Sequence, residues 1–231
     1  TIHSKAQKGI NRVYWNLKAD GFDYPAWKDK VSEWYRPPGP EVIPGNYFIK
    51  AVLADHKDST MATVLADPRE NIPHENRKAK YEALQQVGNE LEKAKKAVDK
   101  MKQMHQSLDK IINQIKAQQD TSYEYLIEEG QKLQKNIKDT ARLFVSIPDE
   151  RQGITGEKNI MRSYWRVASA LSSTYDKPTE THKTLHKYAK DELSKALEAY
   201  NKLFEDKIKT YKTKIKEADI PIFPEYEKVK L

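Results

Sequence analysis

Apolar side chains fall on two different periods along this chain, and the change comes near residue 73. Before it the spacing is two. Val13-Tyr14-Trp15-Asn16-Leu17, Tyr47-Phe48-Ile49-Lys50-Ala51-Val52-Leu53 and Met61-Ala62-Thr63-Val64-Leu65 are β-branched and aromatic runs bounded by Gly, Pro, Asn and Asp, the pattern of strands. Ala54 to Ser59 is a polar connection of hairpin size, and residues 18–45, with Pro37-Pro38-Gly39-Pro40, are a long ordered loop. Three or four strands cannot close a β-sandwich, which takes about seven, so this region is a partial one with strands missing.

After Arg77 the spacing is helical. Leu84, Val87, Leu91, Ala94, Val98, Met101, His105, Leu108, Ile112 and Ile115 alternate three and four apart, a coiled-coil-like seam. A first helix over 77–119 would be roughly 63 Å long at the usual rise. Asp120-Thr121-Ser122 offers a stop and a new N-cap, after which Leu126, Gly130, Leu133, Ile137, Ala141 and Phe144 mark a second helix ending before Pro148. Ser146 to Glu157, with Gly153 and Gly156, reads as a loop. A third helix carries Met161, Tyr164, Ala168, Leu171 and Tyr175. A fourth begins after Thr179 and carries Leu185, Ala189, Leu193, Ala196, Tyr200, Leu203, Lys207/Ile208, Tyr211 and Ile215. The expected fold class is α+β, mostly α: a partial sandwich over 1–73, a long antiparallel four-helix bundle over 74–219 and an extended tail over 220–231. Up-down-up-down order matches the lengths and would set Ile220, Ile222 and Phe223 beside the β region. The alternative runs helices two and three end to end alongside helix one.

Proline sharpens the boundary, since seven of 11 lie between Pro25 and Pro73 and none falls in 74–147. The net charge of +7 is spread thinly, with 10 basic and 8 acidic groups in residues 1–69 and 31 and 26 in the rest. Pairs such as Glu92/Lys96, Glu128/Lys132, Asp191/Lys195, Glu198/Lys202 and Glu205/Lys209 are those of solvated helix faces, and no basic stripe interleaved with aromatics points to nucleic acid. There is no cysteine and no apolar run of transmembrane length.

Candidate chemistry is sparse. His182 and His186 could hold one metal ion from a single helix face, but Glu does not follow His182, so the His-Glu-x-x-His pattern is absent and the default is a solvated pair. His105 sits on the seam as a core histidine. Ser107-Leu108-Asp109-Lys110 matches Ser-x-x-Lys without its companion motifs, and Asp55 with Asp58 lacks the spacing of a calcium loop. Neither cofactor nor metal is expected. Trp27, Trp34 and Tyr35 in the long loop are candidate ligand-binding residues, for glycan or peptide, set against the simpler reading that they cover the sheet or the helix base.

Gly9-Ile10-Asn11-Arg12-Val13-Tyr14-Trp15, Pro44-Gly45-Asn46-Tyr47 and Asp67-Pro68-Arg69 form a family pattern. Over residues 9–69 the chain resembles the C-terminal region of large exported bacterial β-propeller proteins, the sortilin-like and BNR-repeat (sialidase-type) proteins of Bacteroidota. There such elements belong to an immunoglobulin-like module like that of the flagellar hook-scaffolding protein, and helices commonly follow. The resemblance implies a partial immunoglobulin-like sandwich, export, and as partner the upstream part of the same polypeptide, with its propeller and the missing strands. Another protein or a second copy are further candidate partners. Gly9, Asn11, Trp15, Pro44, Gly45, Tyr47, Asp67, Pro68 and Arg69 are then scaffold positions, and nothing catalytic carries over. The expected function is a non-catalytic accessory module for spacing, docking or oligomerisation. The alternative is an adhesive module that binds glycan or peptide through loop 22–40.

Overall fold

The computed structural model describes residues 1–27, 39–147 and 158–220. They are mostly helical, 59%, with one small antiparallel sheet. Strand β1 (Gly45–Leu53) pairs with β2 (His56–Val64) over their whole lengths, Gly45 opposite Val64 and Leu53 opposite His56. The turn is therefore two residues, Ala54-Asp55, and not the six-residue connection expected. Ala54 holds φ 47°, in the place that glycine occupies in a type II′ turn. The expected strand over 13–17 is not formed. An isolated bridge joins Lys18 to Glu41 instead, and Leu17 just before it is left-handed at φ 58°. A strand needs a neighbour for its backbone hydrogen bonds; here only the Leu17 carbonyl finds one, accepting the Val42 amide at 2.9 Å, and no ladder among the described residues continues over 13–16.

Helix α1 (His74–Ala117) is followed at Gln119 by a left-handed residue, φ 55°, which stops it. Asp120 then accepts the Ser122 amide at 2.9 Å and hydroxyl at 2.6 Å, the expected cap, which opens a short 3-10 turn into α2 (Glu124–Arg142). Helix α3 (Ile160–Ser172) is capped by the buried Asn159, whose side chain accepts the Arg162 amide at 3.0 Å. Helix α4 (Glu180–Lys202) passes through a π-helical segment, Leu203–Ile208, into α5 (Lys209–Glu217). The π segment has a cause in the sequence. Buried positions along this helix step by four and three from Ala189 to Ala196 and by seven, two ordinary turns, to Leu203; the step of five from Leu203 to Ile208 breaks that phase, and one wide turn keeps both on the inner face.

Contacts divide the chain into two compact units. The first comprises Thr1–Tyr24, Lys30–Glu92 and Tyr164–Ala189; the second comprises Pro25–Asp29, Lys93–Ser163 and Lys190–Leu231. The division falls inside α1, whereas residue 73, the expected boundary, is where α1 begins. In the first unit α3 runs antiparallel to α1. Asp176, just past α3, accepts from Asn76 at 2.6 Å, Lys80 lies over the Tyr175 ring at 5.1 Å, and Tyr164 at the other end of α3 lies beside Glu90. Gly88 makes room for Phe22, whose ring would lie 2.1 Å from any Cβ placed there. That explains a glycine in mid-helix despite its cost of about 1 kcal/mol.

In the second unit α2 runs antiparallel to α1, with Gln134 donating to Asp109 at 2.5 Å and Gly130 against Ile112. The α4–α5 helix runs antiparallel to α2. Ser163 donates to Glu192 at 2.6 Å, while the Tyr211 hydroxyl donates to the Leu126 carbonyl at 2.9 Å and Lys214 meets Glu129 at 2.6 Å. Ala94, Val98, Met101, Leu108, Ile112 and Ile115 of α1, Leu126, Leu133, Ile137, Ala141 and Phe144 around α2, and Leu193, Ala196, Leu203 and Ile208 are all buried.

These directions correct the up-down-up-down order. The amides of Ile160 and Met161 donate to the carbonyls of Leu143 and Phe144 at 2.9 and 3.0 Å. The first free N–H groups of α3 thus satisfy the last free carbonyls of α2. Both α2 and α3 return antiparallel to α1, as in the alternative arrangement. Accordingly α5 finishes beside the start of α2, and Ile220 belongs to the second unit and not with the β hairpin. Ile222 and Phe223 lie outside the described residues.

Candidate functional site

Of the aromatic loop cluster, Trp34 and Tyr35 lie outside the described residues. Trp27 is half-buried in the second unit and meets the His105 ring edge-on, centroids 5.9 Å apart. Burial, and a lesser push from Lys138, hold the His105 pKa below its ordinary 6.5 against the opposing pull of Asp109 at 3.4 Å. An indole on a poorly solvated imidazole is a packing contact.

His182 and His186 serve different partners. His182 accepts the Thr179 amide through Nδ1 at 3.3 Å and gives its own amide to Thr179 Oγ1 at 3.3 Å, a reciprocal cap at the start of α4. His186 Nε2 lies 2.6 Å from Glu90 Oε2, both side chains largely buried, and its ring meets Tyr164 edge-on at 6.2 Å. Burial, and then the Glu90 carboxylate, push the Tyr164 phenol up. Among the described residues no three acidic, imidazole or thiol groups gather where one metal ion would sit. Ser107 donates to the Gln103 carbonyl at 2.9 Å within its own helix, which leaves its hydroxyl aimed along α1 and not at Lys110. Asp58 accepts the Ser59 amide at 2.7 Å and is exposed, as is Asp55.

The family-like motif residues support the backbone. Gly9 holds φ 106°, and Asn11 brackets it by donating to the Gln7 and Gly9 carbonyls at 2.8 and 3.1 Å. Asp67 takes Arg69 in a fork, Nη2 at 2.6 Å and Nε at 3.0 Å, and these bonds hold its carboxyl below the ordinary range. Trp15 and Tyr47 do more. Their rings meet edge-on at 5.4 Å, with the indole N–H on the Lys18 carbonyl at 3.0 Å and the phenol on the Ile43 carbonyl at 2.5 Å. Burial, and then the neighbouring Tyr81, push the Tyr47 phenol up.

These two rings floor a groove of about 910 Å³ in the first unit, lined also by Phe48, Ile49, Tyr81, Asn16 and Lys18. Of the candidate residues read from the sequence, only the scaffold positions Trp15 and Tyr47 line it. Its signal was present in Trp15, Tyr47 and Phe48 as a cluster of aromatics on period-two segments, but only the pairing of 18 with 41 brings the first segment beside β1. The surroundings are apolar and open to solvent: Val13, Tyr14 and Leu17 are exposed, and on the hairpin Phe48 is 69%, Met61 63%, Leu53 61% and Val52 59% exposed. Among the described residues no helix is long and apolar enough to cross a membrane. Compared with protein-family models, curated proteins and solved structures, the chain has no match.

Proposed function

We propose that this chain is a docking and spacing module of a larger exported polypeptide, without chemistry of its own. The hairpin and its flanking segment form part of an immunoglobulin-like sandwich, and the helices serve as a spacer. One observation carries the reading: both faces of the β1–β2 hairpin present large apolar side chains to water. Phe48 and Met61 are cross-strand neighbours on one face, and Ile49 and Leu53 stand on the other, from 43% to 69% exposed. Contiguous apolar surface of this kind marks an interaction site, and a two-stranded hairpin is marginal in water by itself. The helical residues add support, because their inward positions are apolar and their charged groups pair at the rim, as Lys214 does with Glu129 and Lys95 with Asp99.

The likeness of Gly9–Trp15, Pro44–Tyr47 and Asp67–Arg69 to exported propeller proteins assigns the partner to the upstream part of the same polypeptide. Reading the coding sequence on the 5′ side of the Thr1 codon tests this. An in-frame propeller followed by further period-two segments is expected. A different upstream domain, or a hydrolytic activity of the purified chain that a single polar substitution abolishes, would overturn it.

A further inference from the structure

The groove beside β1 has features that specify its occupant. Tyr47, Phe48 and Ile49 line it in succession. Consecutive residues of a strand point to opposite faces, so three in a row are reached together only from the strand's edge. That edge is open: among the described residues β1 pairs with β2 alone, and on its other side the backbone N–H and C=O groups of a nine-residue strand have no ladder partner. Such an edge is a template for one more strand. The Trp15 and Tyr47 rings suit apolar side chains, since their polar atoms are already bonded to the Lys18 and Ile43 carbonyls, while Thr1, His3 and Asp20 add polar groups to the lining.

We infer that the β1 edge and its groove take an extended polypeptide strand from a partner, carrying apolar residues at alternate positions. The apolar set rests on Trp15, Tyr47 and Tyr81, and the side chains between them turn to the face of Phe48 and Met61. The alternation follows from the ladder, because an added strand turns every second side chain to the same face. Two copies stacked through their hairpin faces fit poorly. One face of a two-stranded, nine-residue hairpin is about 30 Å by 10 Å, or about 300 Å², well short of the about 800 Å² per partner of a stable interface. A strand added at the edge gains backbone hydrogen bonds along its length and contact on both faces at once. The inference deepens the docking role and rests on it.

The experiment uses a phage-displayed library of random nonapeptides panned against the full chain, followed by the synthetic form of the enriched peptide. The expected result is enrichment of apolar residues at every second position. The synthetic peptide should bind with slowed hydrogen exchange at the β1 amides that do not pair with β2. N-methylation of alternate peptide amides should weaken binding at least tenfold. So should Phe48→Lys and Ile49→Lys, at positions 69% and 43% exposed, where the fold and the helical circular dichroism are retained. No enrichment, enrichment at helical spacing, protection away from β1, or self-association of the chain that the same two variants abolish would each overturn it. An in-frame propeller found together with any of these results sinks the strand inference and leaves the module's larger role standing.

Discussion

Gly130→Ala is the sharpest probe of helix packing in the second unit. A Cβ at Gly130 would lie 2.7 Å from the Tyr211 hydroxyl oxygen and 3.0 Å from Cδ1 and Cγ1 of Ile112. On an isolated helix the change would stabilise by about 1 kcal/mol, through propensity alone. Here it drives the Tyr211 hydroxyl from the Leu126 carbonyl, which it meets at 2.9 Å in a buried site. A displaced buried donor costs about 1–3 kcal/mol, and overpacking adds about 1–3 kcal/mol. With the propensity gain subtracted, the net loss is about 1–5 kcal/mol, opposite in sign to the helix expectation.

A double-mutant cycle separates these contributions. Tyr211→Phe alone loses one hydrogen bond, about 1 kcal/mol, and also removes the atom nearest the new Cβ. In that background Gly130→Ala meets only the flexible end of Ile112, so its cost should fall by about 1–3 kcal/mol. Urea unfolding followed by far-ultraviolet circular dichroism reads all four corners, with exchange of α2 amides as a local check should the two units melt separately. If Gly130→Ala raises stability, or if the two changes are additive, the packing described around Tyr211 is incorrect.

Other consequences follow from single groups. The depressed pKa of His105 means that burial favours its neutral form; its contribution is complete above pH 6.5 and is lost as pH falls through the lower folded value. His105→Gln should therefore flatten the fall in urea midpoint between pH 7 and pH 5, and an unchanged slope would contradict the burial. Burial, with Glu129 nearby, pushes the Tyr211 phenol up to about 12 from an ordinary 10.0, so its contribution is complete below pH 10 and is lost as pH rises through 12. Alkaline titration of wild type against Tyr211→Phe should show a smaller loss in the variant. Ala54→Gly relieves a left-handed alanine at the hairpin turn, a conformation that costs an L-residue about 1–2 kcal/mol. It should slow amide exchange in β1 and β2, and faster exchange would show that the turn is not strained.

The helical seam was legible in the residues because burial on a helix repeats at three and four, and Val98, Met101, Leu126 and Ile137 all lie where that spacing puts them. The π segment was not read from the residues, although the doubled position Lys207/Ile208 falls inside it. Nor was the direction of α3. Pro148, Gly153 and Gly156 announce a loop, but whether a loop reverses the chain depends on the carbonyls it returns to, and the bonds from Ile160 and Met161 to Leu143 and Phe144 are tertiary facts. Period two at 13–17 showed a segment suited to a sheet, yet pairing belongs to two segments, and among the described residues only its end, at Leu17 and Lys18, is met by another, at 41–42. The groove escaped notice for the same reason, because its walls come from 15–18 and 47–49, joined by a single bridge.

The docking role turns on whether the hairpin is held up by the rest of this chain. Hydrogen–deuterium exchange followed by mass spectrometry measures that directly on the chain alone. Peptides spanning Gly45–Val64 should exchange within seconds, while those covering Ala94–Ile115 and Leu126–Ala141 stay protected for hours. Protection of the hairpin equal to that of the helices would mean that its apolar faces are already satisfied, and the docking role would fall with it.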